Sequence, residues 1–394
     1  MKRYIALGGV GLFAGAGVLG AGWAIVRRLT APVGPRTFDL VIRAVEHDGD
    51  VSTVVLDRSS TTAAQGIYNL WFEHGGWVQL GSEVLDRGPT LIVRRVTNTA
   101  PAFAPRPGDR ASWSGIYFAS PQDAGLRARD VMVETSVGAA PAWLIEGNEG
   151  GDRSTWAIHI HGLGSPRAAT LRGVRVVSEL GYTSLVISYR NDGEGPRVGS
   201  GRSTLGETET EDAEAALEYA ARHGAQRIVL FGWSMGAAIA LQLADRARLR
   251  GLIAGLVLDS PVLDWLAVIK ANCERSGLPA VAGALAVPWL VLRPLARMAS
   301  LPTSVPLGMF KWVTRSSELQ RPTLILHGDQ DDSAPLRVSR ALRDHRPDLV
   351  RLEVFDAGHT LAWNFDSERW CDAMRSWLFS ISMSDLTAGG LPPS

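Results

Sequence analysis

The chain has little cysteine, and neither sign of charge is in excess. Only Cys273 and Cys371 occur in 394 residues, which is too few for a disulfide framework. Neither has companions at the spacing of zinc ligands, so no metal is expected, and we interpret both as buried thiols, with a bridge as the alternative. The 40 basic and 40 acidic residues cancel, which predicts no overall field toward nucleic acid or anionic lipid.

Cofactor motifs are also missing. The sequence contains neither a dinucleotide-binding glycine pattern nor a Walker sequence, so we expect no cofactor and no nucleic-acid partner. What is present is an apolar content of 46%, typical of a globular protein, in a chain long enough for two or three domains of roughly 150 residues. The sequence makes no prediction of oligomeric state.

The first thirty residues are predicted to be a membrane anchor. An uninterrupted apolar or small run from Tyr4 to Val26 would span the bilayer core of about 30 Å as a helix. A cleaved signal peptide is the alternative, because Ala14-Gly15-Ala16 has the form of a cleavage site. Basic residues flank the run at both ends, so orientation is not decided by charge. We expect residues 1–30 to be uncleaved and the body to be extracytoplasmic, as is usual for such anchors.

Residues 37–120 are predicted to form a small β-rich domain. Short segments such as "VSTVVL" and "LIVRRV" resemble strands, and none keeps a helical period. The pair Gly75-Gly76 predicts a hairpin turn. We assign no chemistry to this domain.

From Gly151 onward, apolar strands alternate with amphipathic helices. The strands are continuous apolar runs, which indicates burial on both faces and therefore a mostly parallel sheet between two helical layers. We place this α/β domain at residues 125–383 and a flexible tail at 384–394. In such a sheet, ligands bind at the carboxyl ends of the strands.

Four chemically suitable groups follow four of these strands: Ser234, Asp331, His359 and the turn His161–Gly164. A serine hydroxyl needs a base to become a nucleophile, and imidazole titrates near working pH. A carboxylate would hold that imidazole in the required tautomer. The sequence therefore predicts a catalytic triad of Ser234, Asp331 and His359.

The segment "GWSMG" places this serine in a sharp turn between a strand and a helix. Side chains at Gly232 or Gly236 would crowd the approach of helix to strand. We expect the N–H groups of Met235 and Leu163 to form an oxyanion hole, with His161 and Gly162 supporting the turn that carries Leu163.

The segments "HGLG", "SYRNDG", "GWSMG", "HGDQDDSAP" and "DAGH" together resemble, in kind and order, the α/β-hydrolase superfamily. The similarity covers Asp130 to Leu378 and is greatest to the serine-aminopeptidase and prolyl-oligopeptidase-like branch and to membrane-associated esterases. It implies an α/β-hydrolase fold and Asp331 as the acid of the triad. The region before Ser120 matches no part of that fold.

Other residues compete for the same roles. Asp259 follows a strand and is an alternative acid, as are Asp329 and Asp332, which neighbour Asp331. His345 is an alternative base, but it falls in the polar stretch of a predicted helix. His159 is expected to point into the sheet.

An insertion of about fifty residues precedes the strand that leads to Asp331, and we place a cap at about 262–320. Its residues are apolar and interrupted by proline, which favours a helical cap over the active site. Such a cap favours a small-molecule acyl substrate, and we predict an esterase. A peptidase is the alternative, with Glu207, Glu209 and Glu211 as candidates to bind an amino terminus. An inactive binding or scaffold protein is the third possibility.

Overall fold

The computed structural model describes residues 19–388, with side chains described to residue 382. Its β-rich N-terminal region, expected from the sequence, is confirmed. One antiparallel sheet has the spatial order β1-β7-β4-β5-β6-β3-β2. Its strands are β1 (Leu40–Val41), β2 (Ala44–Asp48), β3 (Val51–Asp57), β4 (Tyr68–Phe72), β5 (Trp77–Arg87), β6 (Leu91–Thr99) and β7 (Arg110–Ser114).

This sheet closes on itself. β1 pairs with β7, whereas β2, which follows directly in the chain, pairs with β3 at the other end of the order. Between them, the Ile42 N–H donates to Asp109 O (3.0 Å) and the Arg43 N–H donates to Val55 O (2.9 Å). Closure produces a barrel, whose interior holds a separate apolar core. The Gly75-Gly76 turn joins β4 to β5, with both glycines at positive φ.

Arg94 is fully buried at one side of this barrel. Its guanidinium pairs with no carboxylate within residues 19–388 and instead donates to the carbonyl oxygens of Thr62, Ala64, Gly66 and Gly81. Burial lowers the pKa of Arg94 to about 10, so the side chain stays charged at neutral pH. One side chain therefore supplies hydrogen bonds to four backbone carbonyl oxygens.

The second sheet has eight strands in the order β15-β14-β13-β12-β10-β11-β9-β8. Six strands, β10 to β15, are parallel. The hairpin β8–β9 extends the sheet at one edge, where β9 pairs antiparallel with β11. The strands are β8 (Ala128–Thr135), β9 (Gly138–Ile145), β10 (Thr155–Ile160), β11 (Thr183–Ile187), β12 (Arg227–Trp233), β13 (Ile253–Asp259), β14 (Thr323–Gly328) and β15 (Val350–Phe355). The predicted mostly parallel sheet is confirmed.

Helices cover both faces of this sheet. As a result, β10, β11 and β14 are buried at every position. Neighbouring residues such as Ala157 and Ile158 enter different apolar clusters on opposite faces. The helices are α1 (residues 19–29), α2 (Leu171–Glu179), α3 (Glu209–Arg222), α4 (Met235–Arg246), α5 (Trp265–Arg275), α6 (Val287–Val291), α7 (Arg293–Met298), α8 (Leu336–His345), α9 (Ala362–Phe365) and α10 (Ser367–Ala388).

The insertion between β13 and β14 carries α5, α6, α7 and several 3-10 turns, and we call it the cap. The Asp264 carboxylate begins α5 by accepting hydrogen bonds from the N–H groups of Leu266 and Ala267. At the end of the chain, α10 runs to Ala388. The predicted flexible tail, 384–394, is therefore helical at its start, and residues 389–394 lie outside the described residues.

The predicted membrane anchor, residues 1–30, lies mostly outside the described residues. Its described part, α1, packs on protein, because Val26 is fully buried in the main core. Within residues 19–388, no helix is long and apolar enough to cross a bilayer. The expectation of buried thiols fits Cys273, and both cysteines are free.

We expect Arg94→Met to destabilise the barrel, because four carbonyl oxygens lose this donor, two of them in buried hydrogen bonds. The free energy of unfolding, measured by urea denaturation, should fall by about 3 kcal/mol or more. Arg95→Met is the matched control, since the neighbouring Arg95 is exposed, and it should change stability by less than about 0.5 kcal/mol. Equal effects of the two substitutions would contradict the role given to Arg94.

Candidate active site

Ser234 lies in a strained turn between β12 and α4. Its φ of 52° and ψ of −112° are costly for a residue with a side chain, by about 1–3 kcal/mol. The surrounding backbone holds this conformation: the Ser234 N–H donates to Asp259 O (2.9 Å), and Ser234 O accepts from the Val262 N–H (3.2 Å). The hydroxyl is thereby presented at the end of the strand.

Gly232 and Gly236 allow the turn to pack against β10. A Cβ atom at Gly236 would lie 2.1 Å from the carbonyl oxygen of Ile160, and one at Gly232 would lie 2.5 Å from Cα of Ala237. Both distances are far below a van der Waals contact. The first turn of α4 therefore lies directly against the end of β10, where the His161–Gly164 turn begins.

Ser234, His359 and Asp331 come together although they are far apart in sequence. Nε2 of His359 lies 2.9 Å from Oγ of Ser234, and Nδ1 lies 2.7 Å from Oδ2 of Asp331. With Nδ1 protonated, the imidazole donates to the carboxylate and accepts from the serine hydroxyl. This is the hydrogen-bonded order that a nucleophile, a base and an orienting acid require.

The Asp331 carboxylate is held on both oxygens. Oδ1 accepts from the N–H groups of Ser333 (2.9 Å) and Ala334 (2.7 Å), while Nε2 of His327 lies 3.2 Å from Oδ2. Burial by itself would raise the pKa of Asp331, but hydrogen bonds from His327 and His359 outweigh it and lower the pKa well below its ordinary value. The group therefore remains a carboxylate and an acceptor.

His327 is a supporting residue that the sequence interpretation missed. It lies fully buried at the end of β14, and its Nδ1 is 2.8 Å from Oγ of Ser339. The serine hydroxyl can donate to Nδ1, which leaves Nε2 protonated and shared between Ala334 O (2.9 Å) and Asp331. The only signal in the sequence is a histidine just before the "GDQD" segment, which is too short to assign a role.

The alternative acids are placed differently. Asp259 is buried at the end of β13, where burial raises its pKa and Oδ2 accepts from the indole N–H of Trp370 (3.0 Å). Asp332 faces Arg275 at the surface, and Asp329 is exposed. Within the described part of the chain, the carboxylate hydrogen-bonded to His359 is that of Asp331.

The alternative bases also lie elsewhere. His345 is exposed at the end of α8, with Nδ1 2.6 Å from Ala341 O. His159 is fully buried in the sheet and stacks on Phe231, and burial lowers its pKa to about 3. Within residues 19–388, neither ring forms a hydrogen bond with Ser234.

The two segments that carry the predicted oxyanion residues lie beside Ser234. A Cβ atom on Gly162 would be 3.2 Å from Cβ of Ser234, so the turn carrying Leu163 passes directly beside the nucleophile. Met235 is the first residue of α4, where helical geometry leaves the N–H without an intrahelical acceptor. A helix N-terminus also favours negative charge. The arrangement is suited to stabilising an oxyanion.

A buried network fixes this turn. The ring of His161 stacks on Tyr189 at 4.3 Å, and its Nε2 lies 3.0 Å from Oδ2 of Asp192. The Tyr189 hydroxyl is 3.0 Å from His161 O and 3.2 Å from Gly162 O. Burial would raise the pKa of Asp192, but the hydrogen bond from His161 lowers it overall. The sequence interpretation assigned no role to Tyr189 or Asp192, although both follow a buried strand.

The three glutamates considered for an amino-terminus site are already engaged. Glu209 is buried and accepts from the hydroxyls of Ser203 and Thr204 (both 2.5 Å). Glu207 lies 3.3 Å from Arg246, and Glu211 is 2.9 Å from the Arg190 guanidinium.

The segment after His359 is tied to the main domain by Arg172. This buried guanidinium donates to Thr360 O (3.0 Å) and to Oδ1 of Asn364 (2.7 Å). Burial lowers the pKa of Arg172, and the nearby carboxylate of Asp259 offsets only part of this lowering.

Asn364 continues this connection to the barrel. Its Nδ2 donates to the carbonyl oxygens of Ile67 (2.7 Å) and Gly115 (3.0 Å), and its own carbonyl accepts from the Ile67 N–H (2.8 Å). The barrel therefore contacts the segment that carries the histidine.

The residues present do not suggest a metal centre. Within residues 19–388, no three His, Cys, Asp or Glu side chains are arranged to hold a metal ion.

Comparison with known proteins gives two family matches. The model of the "Alpha/beta hydrolase family" matches residues 150–373, more than half of the chain. A "Domain of unknown function (DUF8805)" matches residues 41–114, which contain most of the barrel. No curated protein matches the chain.

Several solved structures are similar. The esterase Pf2001 of Pyrococcus furiosus is 19% identical, with 67% of this chain and 94% of that chain covered and a TM-score of 0.52. Est1E of Butyrivibrio proteoclasticus is 16% identical, with coverage of 64% and 99% and a TM-score of 0.46. An alpha-beta serine hydrolase homologue of Coxiella burnetii is 18% identical, with coverage of 63% and 96% and a TM-score of 0.42. At these identities, the similarity describes the fold.

We expect Asp331→Asn to lower the free energy of unfolding at pH 7 by about 3 kcal/mol, because a buried charged acceptor is lost. The native pKa of Asp331 lies below the ordinary value of 3.8, so its contribution is present above pH 3.8. It is lost as the pH falls from there toward the native pKa. Urea denaturation of both proteins at several pH values should show the difference shrinking below pH 4. A difference that grows on acidification would contradict this assignment.

We expect Gly236→Ala to cost about 3 kcal/mol of stability, because the new methyl group would overlap Ile160 O. Gly251→Ala is the control, since a Cβ atom there has no described atom within 4 Å, and its effect should stay below about 1 kcal/mol. Chemical denaturation measures both. A tolerated Gly236→Ala would show that the contact between α4 and β10 is looser than described.

Proposed function

The chain belongs to the alpha/beta hydrolase family, and from this premise we propose that it cleaves carboxylic esters through an acyl-enzyme formed on Ser234. The family membership makes the protein a hydrolase; the residues and the ester substrate are our proposal. The observation that carries it is the continuous hydrogen-bond chain from Ser234 through His359 to Asp331, at 2.9 and 2.7 Å.

The first half-reaction forms the acyl-enzyme. Oγ of Ser234 attacks the ester carbonyl carbon while Nε2 of His359 takes the hydroxyl proton, and Asp331 stabilises the resulting imidazolium. The carbonyl oxygen becomes an oxyanion, which the N–H groups of Met235 and Leu163 bind. The intermediate collapses as the carbon–oxygen bond to the alcohol breaks, and His359 returns its proton to the leaving alcohol.

The second half-reaction repeats these steps with water. His359 takes a proton from water as the water oxygen attacks the acyl carbon, and then protonates Oγ of Ser234 as the serine ester breaks. The products are a carboxylic acid and an alcohol, and the enzyme is regenerated. No cofactor is needed to balance the reaction.

Two observations favour an ester over a peptide. The glutamates that could bind an amino terminus are occupied: Glu209 by buried hydroxyls, Glu207 by Arg246 and Glu211 by Arg190. The cap is rich in apolar side chains, which suit an acyl group better than a charged terminus. The Pyrococcus furiosus protein of similar fold is an esterase, which agrees with this choice. The anchor at residues 1–30 and the extracytoplasmic location stay predictions.

We expect a fluorophosphonate probe to label the protein on Ser234, because the base beside the hydroxyl activates it toward phosphorus. Ser234→Ala should abolish labelling and reduce ester hydrolysis by at least about 10³-fold. Ser317→Ala, at an exposed serine in the cap, is the control and should label normally. Folded protein that never labels would favour a binding or scaffold protein.

The same preparation distinguishes the substrate classes. We expect hydrolysis of p-nitrophenyl esters, with rates that depend on acyl chain length, and little hydrolysis of aminoacyl nitroanilides. Both activities should disappear in Ser234→Ala. Hydrolysis of the nitroanilides alone would support the peptidase and overturn the ester assignment, while leaving the triad in place.

A further inference from the structure

The exposed apolar side chains are concentrated on one part of the molecule. Of eleven large exposed apolar residues in the described part of the chain, seven lie on α1 or the cap. We call this set the cap face. Its residues are Leu19, Trp23, Leu278, Val281, Val291, Leu292 and Met298. Apolar surface gathered in this way is uncommon on soluble monomers and marks an interaction site.

α1 and the cap form one continuous surface. A Cβ atom on Gly22 would lie 2.2 Å from Leu285 O, so the backbone of α1 touches the 3-10 turn that contains Val281. The indole N–H of Trp23 lies 3.5 Å from Met298 O, at the end of α7. Arg27 donates to Oγ of Ser300 (3.0 Å). The exposed side chains of α1 therefore border those of the cap.

The charge of this surface is positive, although the whole chain is neutral. The sequence has no acidic residue before Asp39, and none between Glu274 and Glu318. Arg28 on α1 and Arg293 and Arg297 on α7 are exposed, and they form no ion pair within residues 19–388. Exposed arginines beside apolar side chains are the composition of surfaces that bind anionic lipid.

We propose that the cap face lies on an anionic lipid bilayer. Its apolar side chains enter the headgroup region, Trp23 lies at the boundary between lipid and water, and the three arginines contact lipid phosphates. The chain supports this choice of partner, because the run from Tyr4 to Val18 is uncharged and apolar and leads directly into α1. A second copy docked on the same face would bring like charges together.

This placement is independent of the reaction proposed for Ser234. It does set the orientation of the molecule on the bilayer. The cap is inserted between β13, which lies beside the strand that leads to Ser234, and β14, which leads to Asp331. The cap would then face the lipid phase.

The test uses the full chain in a Cys273→Ala, Cys371→Ala background, with a polarity-sensitive nitrobenzoxadiazole probe on Val281→Cys. Phe379→Cys is the control, since Phe379 is 67% exposed on α10, which packs on the opposite face of the sheet. With vesicles of 70% phosphatidylcholine and 30% phosphatidylglycerol, the probe at 281 should shift to the blue and be quenched by brominated lipid. The probe at 379 should not respond.

Charge reversal gives a second measurement. We expect Arg293→Glu with Arg297→Glu to raise the lipid concentration needed for half-maximal binding at least about tenfold. Arg337→Glu with Arg340→Glu, exposed on α8, makes the same change in net charge and should have a smaller effect. Equal effects of the two pairs would overturn the proposal.

Two other results would also overturn it. In the first, the protein co-migrates with vesicles in a density-gradient flotation assay while neither probe responds, which would mean that only the segment before Leu19 binds lipid. In the second, the emission of the probe at 281 is already blue-shifted without vesicles and the protein has the mass of a dimer. This would mean that a second copy covers the cap face.

Discussion

The contact between the first turn of α4 and the end of β10 is the constraint on which the site depends. Gly236 lies so close to Ile160 that no side chain fits, and this closeness keeps Ser234 in a conformation that serine otherwise avoids. The same contact brings the His161–Gly164 turn beside the hydroxyl. The packing of α4 on β10 therefore maintains the strained backbone of Ser234, which would relax if the helix moved.

Buried carboxylates fix the remaining parts of the site. Asp331 holds the loop after β14, Asp192 the segment after β11, and Glu209 the loop before α3, each by accepting several hydrogen bonds. Each carboxylate is a short polar group that gathers N–H donors from an irregular stretch of backbone. These hydrogen bonds fix the conformation of loops that have no regular secondary structure.

Much of this could be predicted because it depends on local pattern. Continuous apolar strands indicate a buried parallel sheet, and residues that follow such strands meet at one edge, so Ser234 and His359 could be expected to meet. The contacts of His327, Asp192 and Asn364 could not be predicted, because each joins segments whose distance depends on the whole fold. Hydropathy alone could not place Val26, because a buried core position and a lipid-facing position require the same residue type; here the side chain packs on protein.

The closed barrel has a consequence for recognition. Closure through Ile42 and Arg43 leaves only short stretches paired on one side, such as the five residues of β2, and short edges resist extension by a foreign strand. The loops that contact Asn364 are already occupied by the hydrolase domain. We therefore expect partners of this barrel to be recognised mainly through side chains on its outer wall and at its remaining rim, by shape and charge rather than by strand addition.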